Sequence, residues 1–274
     1  MKETLFKLAM VVAPKEAMFE AVVREPLEKS LKLLHEIGFN GVELSVIDPG
    51  NIEVNYLRKI LSEYGLEIPA LSTGLNYIHH GLSLSSPNLE IRKRAVKRLK
   101  KIVNLAEKME AGVVVGLMRG KSEQGIAKEN AYKYMVEGLK EICSHAEVKG
   151  VKIFFEPLNR YETDLINTVD EGLKLLEEVG KDNLLLLLDT FHMNIEEANI
   201  EASIARAKNR IGHFHVADSN RLAPGMGHLN FKPILRSLFK SGYRGYLSAE
   251  IITKPSFEEA ARTTYVVLKS AMGV

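Results

Sequence analysis

The sequence predicts a single (β/α)8 barrel spanning residues 1–274, and three observations carry that prediction. Short apolar runs alternate with longer amphipathic ones along the whole chain, the pattern of repeated strand–helix units. No change of composition and no linker interrupts them, so one domain accounts for the chain. No glycine-rich phosphate loop follows the first apolar run, where VVAPKEAMF stands. An open doubly wound sheet would more readily carry one there.

The expected strands are 5–12 (LFKLAMVV), 41–46 (GVELSV), 67–73 (EIPALST), 112–117 (GVVVGL), 151–157 (VKIFFEP), 184–189 (LLLLLD), 211–218 (IGHFHVAD) and 245–251 (GYLSAEI). Each is short, aliphatic or β-branched, and too apolar to leave a face in water, as a parallel strand covered on both sides should be. Helices are expected at 27–38, 53–64, 87–111, 127–149, 168–180, 196–208, 231–240 and 256–272. In 87–111, Ala95, Leu99, Ile102, Val103 and Ala106 form one stripe at helical spacing. Ser86 is placed to cap that helix, with Pro87 at its first position. GFNG (38–41) and GYRG (242–245) punctuate two of the joins.

The formal net charge of +2 is too small to favour nucleic acid or an anionic membrane as partner. Cys143 is the only cysteine, so no internal disulfide can form and a reducing cytoplasm is the expected location. No apolar stretch approaches the roughly 20 residues that span a bilayer. The N-terminal apolar run is broken by Lys7, unlike a secretory leader.

Active sites of such barrels lie at the C-terminal ends of the strands. Strand five ends in Glu156, strand six in Asp189 and strand eight in Glu250, while strand seven carries His215. Neighbouring strands are about 4.8 Å apart, so four consecutive ends can aim at one point. Three carboxylates buried together repel one another and are costly, and a divalent cation at their centre removes the difficulty. Taken singly, Asp189 reads equally well as a helix cap and a lone histidine as core. The coincidence of four on adjacent strands favours a metal site. In HFH, alternation turns His213 and His215 to the same side, with His215 nearer the mouth. His215 is therefore the expected ligand, and His213 lies behind it or packs the core. An oxygen-rich set with one imidazole suits Mn2+, Mg2+ or Co2+ better than a thiolate-preferring metal.

The segments EPLNRYE (156–162), DTFHMNIEE (189–197), GHFHVADSNR (212–221) and AE (249–250) closely resemble the motifs of the ketose 3-epimerases, the D-tagatose and D-psicose 3-epimerase group of the xylose isomerase-like TIM barrels. The first half resembles only that wider superfamily, through SSPNLEIRKRAV (85–96). The resemblance implies a metal, Mn2+ foremost, bound by Glu156, Asp189, His215 and Glu250. It implies Glu156 and Glu250 as the acid–base pair, substrate contacts from Glu162, His192 and Arg221, and a homo-oligomer, a dimer. Elementary chemistry accords with these roles. Inverting a carbon beside a carbonyl requires removing a proton from one face and returning one to the other, and two flanking carboxylates can do both. A cation chelating the carbonyl and neighbouring hydroxyl stabilises the enediolate by several kcal/mol. Arg221 and His192 would hold hydroxyls and the developing oxyanion.

Two departures bear on the substrate. The family typically walls its sugar with tryptophan, and this chain has none. The segment after strand four, GLMRGKSEQG (116–125), is brief, so a more open site is expected. It carries Arg119 and Lys121, and Arg119 is the candidate contact for an anionic end. The expected substrate is therefore a ketose or a keto-sugar acid. His79 and His80 have no assigned role. Aldose–ketose isomerisation on the same metal is the nearest rival. A metal-dependent DNA-repair endonuclease would want more ligands and a basic face. A non-catalytic sugar-binding protein would not need both Glu156 and Glu250.

Overall fold

The structure, a computed structural model, describes residues 6–123 and 126–273. Leu5, Gln124 and Gly125, which belong to expected elements of the sequence, lie outside the described residues. Parallel strands β1 (Lys7–Val12), β2 (Gly41–Ser45), β3 (Ala70–Ser72), β4 (Gly112–Val115), β5 (Ile153–Phe155), β6 (Leu184–Asp189), β7 (Ile211–Val216) and β8 (Tyr246–Ala249) pair in chain order. β8 pairs back onto β1 and closes the TIM barrel. Several strands are shorter than expected. Pro69 has no N–H for the ladder and precedes β3, and Pro157 follows close on the end of β5.

Around the barrel lie α1 (Leu27–Ile37), α2 (Val54–Tyr64), α3 (Gly74–His80), α4 (Leu89–Met109), α5 (Lys128–Glu147), α6 (Val169–Val179), α7 (Thr190–Glu196), α8 (Ile200–Ala207), α9 (Phe231–Lys240) and α10 (Phe257–Met272). The stripe expected on α4 is buried as predicted. Its cap is not Ser86 but Asn88, whose side chain accepts the Glu90 N–H; Ser86 instead accepts from Asn88 N–H at 3.3 Å. The expected helix at 196–208 is the shorter α8, and a separate helix, α7, precedes it. Asp189 accepts the Phe191 N–H at 2.7 Å and turns β6 directly into α7, and Asn199 caps α8 through Ala202 N–H at 2.8 Å. Neither α3 nor α7 was expected, because each runs only seven residues, too few to establish a helical stripe. Among the described residues no helix is long and apolar enough to cross a membrane.

Strand alternation sorts the interior. Leu184, Leu186 and Leu188 face outward into the main core beneath the helices, with Val42, Leu44, Phe155, Phe214 and Val216. Ala70, Val114, Phe154 and Leu187 face inward and plug the barrel with an apolar cluster. One step nearer the C-terminal mouth, the same inward parity presents Glu43, Ser72, Glu156, Asp189, His215 and Glu250. The leucine run thus builds the wall, and Asp189 emerges where the wall ends.

Candidate active site

The β6–β7 register sets Asp189 beside His215, and His215 beside Ser248, two residues before Glu250. All four strand-end residues are buried: Glu156, Asp189, His215 and Glu250. His215 Nδ1 lies 3.7 Å from Glu156 Oε1 and 3.9 Å from Asp189 Oδ2. None of these three atoms has a hydrogen-bond partner. Orphaned buried carboxylate oxygens cost on the order of 1–3 kcal/mol each, so two of them and an unpartnered imidazole nitrogen facing one point call for a ligand between them. A divalent cation fits: the separations leave room for one, and the donors are hard oxygens with one imidazole. The electrostatics agree. Burial, against the opposing pull of Arg221 and His215, raises Glu250 to about 8. Burial likewise raises Asp189 to about 6, although Arg221 and His215 favour its charged form. The site resists its own negative charge until a cation supplies the compensation.

A second histidine approaches the same point. His192, on α7, places Nε2 3.8 Å from Glu156 Oε1 and 3.9 Å from Asp189 Oδ2, and Glu156, Asp189, His192 and Glu250 together have metal-ligand spacing. The hydrogen bonds distinguish the two imidazoles. His192 Nδ1 accepts from the Asn159 side-chain amide at 2.8 Å and from the Asn159 backbone N–H at 3.3 Å. The amide orientation is fixed in turn, because Asn159 Oδ1 accepts from Tyr161 N–H. Burial, with Arg221, Arg119 and His215 nearby, holds His192 well below the usual imidazole range, hence neutral. Its one proton therefore sits on Nε2 and faces the site as a donor, which suits a substrate oxygen and not a metal. His215 is reversed: Nε2 meets the Glu43 carboxylate at 3.0 Å, leaving Nδ1 toward the carboxylates.

Arg221 spans the mouth. Nη2 donates to Glu250 Oε2 at 2.5 Å and Nη1 to Glu162 Oε1 at 3.1 Å, with the guanidinium between the rings of Phe191 (4.7 Å) and Phe19 (5.2 Å). Arg221 adopts φ +62°, the left-handed region that residues with a Cβ seldom occupy. Asp218 enforces the turn. Its buried carboxylate accepts backbone N–H groups from Ser219, Gly225 and Leu229 at 2.8–3.0 Å. Burial opposes the Asp218 charge, yet these donors hold its carboxyl below the usual range.

Arg119 requires a correction. The expectation placed it at the mouth to meet an anionic end of the substrate, but its side chain is 0% exposed. Nε donates to Gly116 O at 3.0 Å, and Nη1 donates to Leu165 O and Ile166 O at 3.2 and 3.0 Å. The guanidinium packs 4.1 Å from the Phe155 ring, outside the barrel. A short 3-10 turn, Leu117–Arg119, folds the side chain back under the loop, where it ties the β4–α5 connection to the one after β5. Lys121 is exposed and its carbonyl accepts from Ser85. His79 accepts the Met18 N–H at 3.3 Å and so touches the β1–α1 loop.

The family model for the xylose isomerase-like TIM barrel matches residues 31–270. An L-ribulose 3-epimerase from Mesorhizobium japonicum is 32% identical over 237 residues, covering 85% of this chain and 78% of its own. A D-psicose 3-epimerase from Ruminiclostridium cellulolyticum is 32% identical over 246 residues, covering 86% of this chain and 80% of its own. The chain belongs to the ketose 3-epimerase family. Among solved structures, one of an L-ribulose 3-epimerase superposes with a TM-score of 0.85 at 26% identity, covering 97% of this chain and 94% of that one.

As a ketose 3-epimerase family member the chain closes its site without tryptophan. Phe19, Leu75, Ile78, Leu117 and Leu158 line the cavity opposite the carboxylates. Phe19 rides on the β1–α1 loop, held down by a small apolar cluster of Ala13, Ala17, Val22 and Leu75. The cavity measures about 30 Å³, and Phe19 brings the β1–α1 loop to its edge. A larger hollow of about 590 Å³, lined by Arg58, Glu67 and Tyr246 among others, opens at the far, N-terminal end of the barrel, away from the carboxylate cluster.

Gly116 has a specific duty in this family member. A Cβ there would lie 2.6 Å from Glu156 Oε2, so glycine makes room for the carboxylate. Glu43, Asn159, Asp218, Gly116 and Phe19 all shape the site and were not picked out from the sequence. Only Glu43 left a plain signal, as the one charge within the otherwise uncharged run GVELSV.

Proposed function

We propose that this chain is a divalent-metal-dependent ketose 3-epimerase using Mn2+, with Glu156, Asp189, His215 and Glu250 as ligands. The observation that carries the reading is the convergence of the unpartnered Glu156 Oε1, Asp189 Oδ2 and His215 Nδ1 on one buried point. A bound cation supplies Lewis acidity to the ketose carbonyl and adjacent hydroxyl. The chain's own groups do the rest. Glu156, from β5, and Glu250, from β8, approach from different sides of the barrel, so one can remove the C3 proton while the other returns a proton to the opposite face. One enters as carboxylate and the other as carboxylic acid, and the roles exchange on reversal. The His192 Nε2–H and the Arg221 guanidinium donate to substrate oxygens, and Glu162 keeps Arg221 oriented. The Phe19, Leu75 and Ile78 wall excludes water from the deprotonated carbon.

The substrate class this supports is the neutral ketose named in the relatives. The keto-sugar acid loses its support with the burial of Arg119. The same reading takes residues 1–274 as one barrel domain in a cytoplasmic homo-oligomer, a dimer, acting on a small sugar. Its support is the family membership, the single cysteine and the near-neutral charge. The test is incubation of the Mn2+-loaded protein with L-ribulose, D-psicose, D-fructose and D-tagatose, with products resolved by chromatography. We expect 3-epimers from at least one of them and none after EDTA. Equal conversion in thoroughly chelated protein, or aldoses in place of 3-epimers, contradicts the proposal.

A further inference from the structure

Glu43 is a carboxylate with 0% exposure, placed on β2 and facing into the barrel across from β7. Burying an ion so completely is expensive unless every lone pair finds a donor. Its donors are unusual in kind. His215 Nε2 lies 3.1 and 3.0 Å from the two oxygens, His213 Nε2 lies 2.8 Å from Oε2, and the Ser72 hydroxyl donates to Oε1. A carboxylate only accepts, so each of these imidazoles carries its proton on Nε2. For His213, stacked on Phe154 at 5.4 Å, that choice settles core packing. For His215 it decides chemistry, because the other nitrogen is the unpartnered Nδ1 facing Glu156 and Asp189.

We infer that Glu43 is a positioning residue for the metal site: it fixes His215 in the Nε2–H form and aims the Nδ1 lone pair at the point shared by Glu156 and Asp189. The inference rests on the proposed metal-binding reading. The physical reason is general. An imidazole can ligate only through its unprotonated nitrogen, and a carboxylate behind it fixes tautomer and ring angle and makes the ligating nitrogen more basic. Glu43 is the carboxylate that meets His215 Nε2, at 3.0 and 3.1 Å. Glu43→Gln keeps the volume, but its amide can donate to Nε2 and stabilise the wrong tautomer.

The experiment is calorimetric titration of Mn2+ into the metal-free wild type and the Glu43→Gln variant, alongside urea unfolding of both. We expect Mn2+ binding to weaken about 10- to 100-fold in the variant, the range in which loss of such outer partners falls. Equal Mn2+ affinity in the two proteins overturns the inference, and a lowered unfolding midpoint at unchanged affinity shows that Glu43 only braces the core. Wild type that binds no Mn2+ overturns the metal reading itself, a different and recognisable result. If Glu43→Gln does not fold, Glu43→Asp, which keeps the charge but draws the carboxylate back from His215 Nε2, decides: weakened Mn2+ binding in that variant supports the inference, and wild-type affinity overturns it.

Discussion

Arg221 Nη2 lies 2.5 Å from Glu250 Oε2, so a cation of the chain sits directly on one of the two proposed bases. The same guanidinium reaches Glu162 at 3.1 Å, a geometry that needs a planar fork. Arg221→Ala should lower kcat/KM by about 100- to 1,000-fold, the scale seen when one preorganised oxyanion donor is lost. Arg221→Lys keeps the charge without the fork and should still lose at least about tenfold. Steady-state kinetics on the preferred ketose decide it, and a wild-type rate in the lysine variant contradicts the role.

Gly116→Ala places a methyl group only 2.6 Å from Glu156 Oε2, closer than the two atoms can pack. The carboxylate must swing away, and displacements of about 1 Å in a positioned group can cost roughly 100-fold in rate. We expect kcat to fall by that order and Mn2+ binding to weaken with it, while circular dichroism stays that of the wild type. An unimpaired alanine variant would show that Glu156 does not work from this position.

Arg119 is a structural bond between two loops, so its loss should be read in stability. Arg119→Met removes donors from the carbonyls of Gly116, Leu165 and Ile166 and should cost about 2–4 kcal/mol in urea unfolding. Any change in KM should be the same for a neutral ketose and a keto-sugar acid. A selective loss of the acid would restore Arg119 as a substrate contact.

Metal binding should strengthen with pH. In the metal-free site burial holds Glu250 up at about 8 and Asp189 at about 6, and the surrounding carboxylates, Glu43 foremost, outweigh burial to hold His215 above its usual range. All three groups therefore carry protons more readily than ordinary ones, and a cation must displace them. Mn2+ affinity should rise from pH 6 to pH 8, with proton release at pH 7 measured by calorimetry in buffers of different ionisation enthalpy. A flat profile without proton release contradicts that picture.

The fold was legible because strands buried on both faces and amphipathic helices differ in period, and because Glu156, Asp189 and Glu250 close apolar runs at the end where such barrels do chemistry. What the period cannot give is direction within a loop. Arg119 carries its charge in plain view, yet a 3-10 turn decides that it faces inward to carbonyls. α7 went unseen because it is a single short helix started by the Asp189 side chain, which reads equally as a strand-end ligand. Glu43 lies 172 residues from His215, and only the closing of the barrel brings the two together. Asp218 closes the seventh apolar run as Asp189 closes the sixth, but its partners are backbone N–H groups of a loop that has no period to read.

The central claim is that Glu156 and Glu250 move protons at C3 on opposite faces of a ketose, and the position of solvent deuterium tests it most directly. The Mn2+-loaded protein should be allowed a limited number of turnovers in D2O on the best ketose, and the product analysed by NMR. We expect the 3-epimer with deuterium at C3 and none at C1, and no net epimer from Glu156→Gln or Glu250→Gln. Deuterium at C1 in an aldose product, or a 3-epimer that keeps its original hydrogen at C3, would contradict the claim.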